Sequence, residues 1–305
     1  MSTVLYDAIG PRTRRRIQVG TALATVVVLA LVAVAVWRLG SNGQLEGERW
    51  LQLLDPDLRS LLGTALWNTL KAAALAMALS MVVGALLAVG RLSLRAWIRV
   101  PVGLFVEFFR GLPLLLLILF AALGLPQLGL SFSVLWYLVI GLTAYNGAVL
   151  AEIFRAGILS IDRGQREAGL AIGLRPTQVL WIILVPQAVR RMLPALISQL
   201  VTLLKDTSLG FVIAYPELLR TGQGAVEFLG SRYALQVYLA VAAIYIAVNF
   251  ALSSLARWLD RRQQRRYGGG AGGATAVDPE DALSNPAPVA VRWAGPGAAA
   301  MPIRS

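Results

Sequence analysis

The sequence predicts an all-α integral membrane protein of six transmembrane helices, and three observations carry that prediction. Apolar residues make up 57% of the 305 residues and charged ones only 14%, against about 25% charged in soluble domains. Mean hydropathy is +0.67, and the apolar residues come in long blocks that a bilayer accommodates and a globular surface does not. Arginines sit at the ends of those blocks, alternately rich and poor along the chain.

A bilayer-crossing helix needs roughly 20 mostly apolar residues. The first such block is 17–37, uncharged between Arg16 and Arg38. The preceding residues 1–16 carry Arg12, Arg14, Arg15 and Arg16 and resemble the start of a signal peptide. The core is long, however, and no small-residue cleavage pattern follows it, so the segment is expected to be a retained helix. Residues 38–60 form a polar external loop, and a second span covers 61–90, interrupted only by Lys71. The third covers 100–123, with Glu107 and Arg110 near its start.

From Gly111 to Ala151 no charge occurs, too long a run for one helix, so Gly124-Leu125-Pro126 and Gly129 are expected to turn the chain. A fourth span, 132–154, follows that turn. The polar stretch 155–191 separates it from a fifth, 192–215, and a sixth covers 233–256. The tail, 258–305, is basic at first and turns Gly, Ala and Pro rich from 267, a composition that predicts disorder.

Orientation follows from the cations. Counting Lys and Arg by connection puts 4, 3, 6 and 7 on the N-terminal side, 20 in all, against 3, 0 and 2 on the other. The positive-inside rule therefore predicts a multi-pass plasma or inner membrane protein with both termini cytoplasmic.

Composition also removes classes of chemistry. With no Cys and no His, disulfides, thiolate nucleophiles and the usual zinc sites are excluded, and a membrane enzyme is disfavoured further by the lack of a G-x-S-x-G nucleophile elbow. Neither Lys71 nor Lys205 follows a G-x-x-x-x-G stretch, so no phosphate-cradling loop is present and the chain is not its own standard ATPase. The net charge of +12 reflects topology and not a nucleic-acid surface, because the arginines flank apolar blocks.

The longest internal cytoplasmic connection, 155–191, is patterned unlike a linker. Ser160 or Asp162 can cap a short helix, with Gln165 placed to complete a capping box. Ala168, Gly169, Ala171 and Gly173 give it a surface of small side chains, and Gly173 and Pro176 end it and start the next helix. Docking into a partner's groove and lying on lipid headgroups both suit such a helix, since Arg163, Arg166 and Arg175 flank it.

Glu167-Ala168-Gly169, Gly173, Ile183 and Val185-Pro186 resemble the EAA loop of ABC-importer permeases, whose form is E-A-A, three residues, G, nine residues, I, one residue, L-P. Gly169 stands for the second Ala and Val185 for Leu. Asn68-Thr69, the stretch from Glu107 to Pro113, the stretch from Ala151 to Gly157, Gly164-Gln165 and the stretch from Lys205 to Leu209 resemble the polar amino acid branch of that family, with Leu112 where the branch commonly has Thr. The extra N-terminal helix and its external loop are similar to those of actinobacterial-type glutamate permeases.

The resemblance covers most of 61–257 and implies a type I importer fold, MetI-like, with five core helices and one extra N-terminal helix. It implies a subunit for polar amino acids, glutamate among them, that is not itself an enzyme. Its partners would be a cytoplasmic ABC ATPase dimer, a homologous or identical second permease and an extracytoplasmic binding protein. No cofactor would be bound directly, with ATP and Mg on the ATPase. Glu167, Ala168, Gly169, Gly173, Ile183 and Pro186 would couple to the ATPase. The alternative class is an ATP-independent secondary transporter or channel, which would need inverted repeats or a filter loop.

Charges inside apolar spans call for partners or a wet path. Glu107 and Arg110, like Glu152 and Arg155, are three apart on a helix and are expected to form structural ion pairs. Lys205 and Asp206 begin fourteen residues beyond Arg191, roughly 21 Å along a helix. With Thr207, Asn68 and Thr69 they are candidates for a substrate path, since an amino acid zwitterion asks for one cation and one anion. A buried pair that ties helices together is the equal alternative, and Asn68 and Thr69 could equally bond across helices.

Overall fold

The computed structural model describes residues 10–267, and for 11, 256 and 259–267 the backbone alone. Most of the predicted tail, 268–305, lies outside the described residues. Every regular element among them is helical.

Helix α1, Pro11–Ser41, extends the predicted first span at both ends, and its most apolar window is not buried against the rest of the chain. A short α2, Gly47–Leu51, leads to α3, Pro56–Arg91. Asp55 starts α3 by accepting from the amides of Asp57 and Leu58, and Pro56 occupies its first turn, where a missing N–H costs nothing.

The predicted third span is not one helix. Helix α4, Ala96–Gly111, meets α5, Leu114–Leu119, at a bend of 100°. Pro113 is the physical reason: it has no N–H to continue α4, and it drives Leu112 to an extended backbone at φ −84° and ψ 139°. From α5 the chain continues through a wider π-helical turn, Phe120–Gly124, into α6, Leu125–Gln127. The expected turn at Gly124-Leu125-Pro126 is thus still helical, and the reversal comes just after it, where Gly129 takes φ +77°.

Helix α7, Val134–Leu159, packs lengthwise along α3. Glycines make this possible. A Cβ on Gly84 would lie 2.8 Å from the Cβ of Leu150, and one on Gly147 would lie 2.9 Å from Val83. On another face of α7, a Cβ on Gly141 would meet the Cα of Ile118 in α5 at 2.7 Å. Close backbone approach through small residues is the usual means of helix association in lipid, where apolar burial alone drives little.

Helix α8, Arg163–Ala171, precedes α9, Pro176–Gln178, which runs through a π-helical stretch, Val179–Leu184, into α10, Val185–Asp206. The fifth span therefore begins well before the predicted Met192, and a continuous candidate span runs from Pro176 to Ile213. A 3-10 segment, Thr207–Ile213, then reaches α11, Leu218–Leu229, and α12, Ala234–Tyr267. The compact unit ends at Trp258. Among the described residues five helices are long and apolar enough to cross a membrane, and the count reaches six if the bent α4–α6 pair is one span.

Candidate functional site

Asp162 sets the start of α8: its Oδ1 accepts from the amide of Gly164 at 2.7 Å. Gln165 does not complete a capping box there. Its Oε1 instead accepts from Nε2 of Gln187 on α10 at 3.3 Å. The guanidinium of Arg191, also on α10, donates to the carbonyl of Ser160. Gln165 thus ties α8 to α10, and Arg191 ties α10 to Ser160 at the end of α7, just ahead of α8.

Its small residues divide into two faces. Glu167, Ala168, Ala171 and Gly173 are exposed, whereas Gly169 is buried. A Cβ on Gly169 would lie 2.8 Å from Ile183 and 2.9 Å from Val179, so α8 lies flush on the π-helical stretch only because this position is glycine. Gly169 and Ile183 therefore meet inside the chain, while Glu167 and Ala168 face outward. Gly173 ends the helix at φ +84°, a conformation that costs glycine little. Pro186 lies in the first turn of α10, where the π-helical stretch passes into regular helix.

At the Asp55 end of the bundle, Asn68 and Thr69 hold the turn into α11. Asn68 Nδ2 donates to the Pro216 carbonyl at 3.0 Å, and Tyr215 Oη donates to the Asn68 carbonyl at 3.0 Å. Thr69 Oγ1 accepts from the Leu218 amide at 3.2 Å. Glu217, fully buried, caps α11 by accepting from the amides of Leu219 and Arg220 at 2.8 and 2.7 Å and takes the hydroxyl of Tyr245 at 2.7 Å. Burial pushes the Glu217 carboxyl above its ordinary range, against the opposing pull of those three donors. Thr207 is buried beside Tyr245 and donates to the Leu204 carbonyl. Lys205 is exposed and Asp206 half-buried, and no ion pair joins them among the described residues.

The Arg91 end is ionic. Arg155 bonds Glu152 at 2.9 Å and Arg110 approaches Glu107 to 3.6 Å. Arg91, not singled out from the sequence, joins the two pairs: it reaches Glu152 at 2.7 Å and Glu107 at 3.5 Å. The cluster links α3, α4 and α7. Between the two ends, Gln199 Nε2 on α10 donates to Asn146 Oδ1 on α7 at 2.6 Å, and the buried hydroxyls of Ser80 and Thr143 have no hydrogen-bond partner among the described residues. These uncharged residues give no signal in a search for charges within apolar spans.

A family profile described as binding-protein-dependent transport system inner membrane component matches residues 80–265, more than half of the chain. The chain belongs to that family. The permease is 39% identical over 231 residues to the glutamate transport system permease protein GluD of Corynebacterium glutamicum, covering 73% of this chain and 83% of that one. It is 37% identical over 199 residues to the glutamine transport system permease protein GlnP of Escherichia coli, covering 64% and 90%. The crystal structure of an amino acid ABC transporter with histidines superposes on the permease with a TM-score of 0.65 at 30% identity, over 70% of this chain and 98% of that one. An inward-facing MetNI methionine ABC transporter shares the fold, with a TM-score of 0.55 at 23% identity. The permease is a multi-pass membrane subunit of a transport system that depends on a binding protein.

Proposed function

We propose that this permease forms the translocation path of an ATP-driven importer for polar amino acids, glutamate first among them, with both termini in the cytoplasm. Its relatives that carry glutamate and glutamine in their names support the substrate class, and the 20-to-5 distribution of Lys and Arg supports the orientation. The Arg91 end and α8 are then cytoplasmic. A separate ABC ATPase dimer binds ATP and Mg, a second permease, identical or homologous, completes the path, and an extracytoplasmic binding protein delivers the substrate.

One observation carries this reading: α8 presents Glu167, Ala168, Ala171 and Gly173 outward while Gly169 seats it on the stretch that leads into α10 and Gln165 bonds it to α10 itself. A helix docked on the ATPase by its outer face moves α10 when the ATPase closes. ATP shifts the population toward the outward-facing state, and hydrolysis restores the inward-facing one. Lys205 and Asp206 stand at the far end of α10 and offer one charge of each sign to a zwitterion. Asn68, Thr69 and Thr207 support that end of the path through the α11 turn.

Copurification in mild detergent tests the coupling. The wild-type chain is expected to bring down an ATPase, and Glu167→Arg is expected to lose it while still inserting in the membrane. Retention of the ATPase by the variant contradicts the placement of the docking face.

A further inference from the structure

The Arg91 end also holds a basic cleft. Arg91, Arg99 and Arg155 line a cleft of about 400 Å³ with Val100, Gly103, Leu104 and Glu107. This lies near the small end of ligand-pocket volumes, roughly 300–1,000 Å³, enough for a polar headgroup and not for a whole lipid. Glu107 is the only carboxylate in the lining. Arg91 and Arg155 also reach Glu152 behind it, whereas Arg99 makes no ion pair among the described residues. With Arg110 included, four guanidinium groups face two carboxylates, an excess of two positive charges. A Cβ on Gly103 would come within 2.6 Å of Arg91 Nη1, so the glycine is what lets this guanidinium lie against α4 and reach the cleft.

The lip of the cleft is apolar. Helix α4 is bent 100° from the segment that follows it, a geometry that suits a helix lying at the membrane surface ahead of α5 and α6. Its exposed residues include Trp97, Val100, Leu104, Phe105 and Phe108, an apolar face of the kind that beds an interfacial helix among acyl chains. Two of those residues, Val100 and Leu104, also line the cleft. A basic pocket between helices with an apolar lip at the cytoplasmic leaflet matches the chemistry of an anionic phospholipid, phosphate inward and chains along α4.

We propose that this cleft binds the headgroup phosphate of an anionic phospholipid. The site rests on the cytoplasmic orientation given above. The test uses the full chain with its associated subunits, extracted from nanodiscs of phosphatidylcholine with phosphatidylglycerol, and native mass spectrometry to count retained phosphatidylglycerol. Arg99→Gln is expected to weaken retention at one site about fivefold, the effect of one cation near a membrane surface. Arg95→Gln, a charge on the same connection outside the cleft, should leave it unchanged, and added inorganic phosphate should not displace the lipid. Equal retention by the wild type and Arg99→Gln overturns the site. Displacement by inorganic phosphate overturns the lipid and assigns the cleft to a soluble anion. The orientation is read separately: in this cysteine-free chain, Arg95→Cys should react with an impermeant thiol reagent from the cytoplasmic face only, and reaction from outside overturns the orientation whatever the lipid result.

Discussion

The two ends of the helix bundle are pinned by different chemistry. At the Asp55 end, Asn68, Thr69, Tyr215, Glu217 and Tyr245 join α3, α11 and α12 with hydrogen bonds, most of them to backbone, and the carboxylate among these five, Glu217, is fully buried. At the Arg91 end, guanidinium and carboxylate groups join α3, α4 and α7, with side-chain exposure from 18% for Arg91 and Glu152 to 59% for Glu107. Hydrogen bonds between uncharged groups or to a buried carboxylate are little screened by salt, whereas a half-wet ionic cluster is screened. The first suits a fixed support for the end of α10. The second suits a junction whose contacts can be remade, as the proposed movement of α8 and α10 would require.

The largest effect is expected from Glu217→Ala. It strands the amides of Leu219 and Arg220 and the hydroxyl of Tyr245 in a buried site, and should cost about 2–4 kcal/mol. Thermal unfolding of the detergent-solubilised chain measures it, and the loss should be the same at low and high salt. A salt-dependent loss breaks the contrast between the two ends. Next, Arg91→Gln removes the guanidinium shared by Glu107 and Glu152. The expected cost is about 1–2 kcal/mol at low salt, reduced because the cluster is partly wet, and it should shrink further in concentrated KCl.

The smallest effect is a pH dependence. Because the folded Glu217 carboxyl is raised above 4.5, the folded state binds its proton more tightly than the unfolded one. The stability it lends is complete below pH 4.5 and is lost as pH rises through the raised value. Glu217→Gln cannot titrate, so its melting temperature should gain on the wild type as pH climbs from that point toward neutrality. A constant difference across that range contradicts a buried, raised Glu217.

The helical spans were legible because run length and cation placement are local properties, and the lipid imposes both. The break at Pro113 was also written locally, but averaging hydropathy over a span hides one proline among its apolar neighbours. Glu217 was invisible for a different reason. It lies outside every apolar block, where a carboxylate reads as solvated, and its burial depends on Thr69 and Tyr245, which only folding brings near. Arg91 likewise closes its cluster with Glu152 on α7, far along the chain. Gly169 stands at a recognisable point of the loop pattern, yet the inward reason for a glycine there needs Val179 and Ile183 in place.

The coupling of α8 to transport is tested most directly by uptake of radiolabelled glutamate into proteoliposomes that hold the permease with its copurified subunits, ATP inside and the binding protein outside. Uptake that requires both ATP and the binding protein, and that Glu167→Arg abolishes, is the predicted result. Uptake without ATP, or unchanged in Glu167→Arg, would contradict it and place the permease among ATP-independent transporters or its coupling face elsewhere.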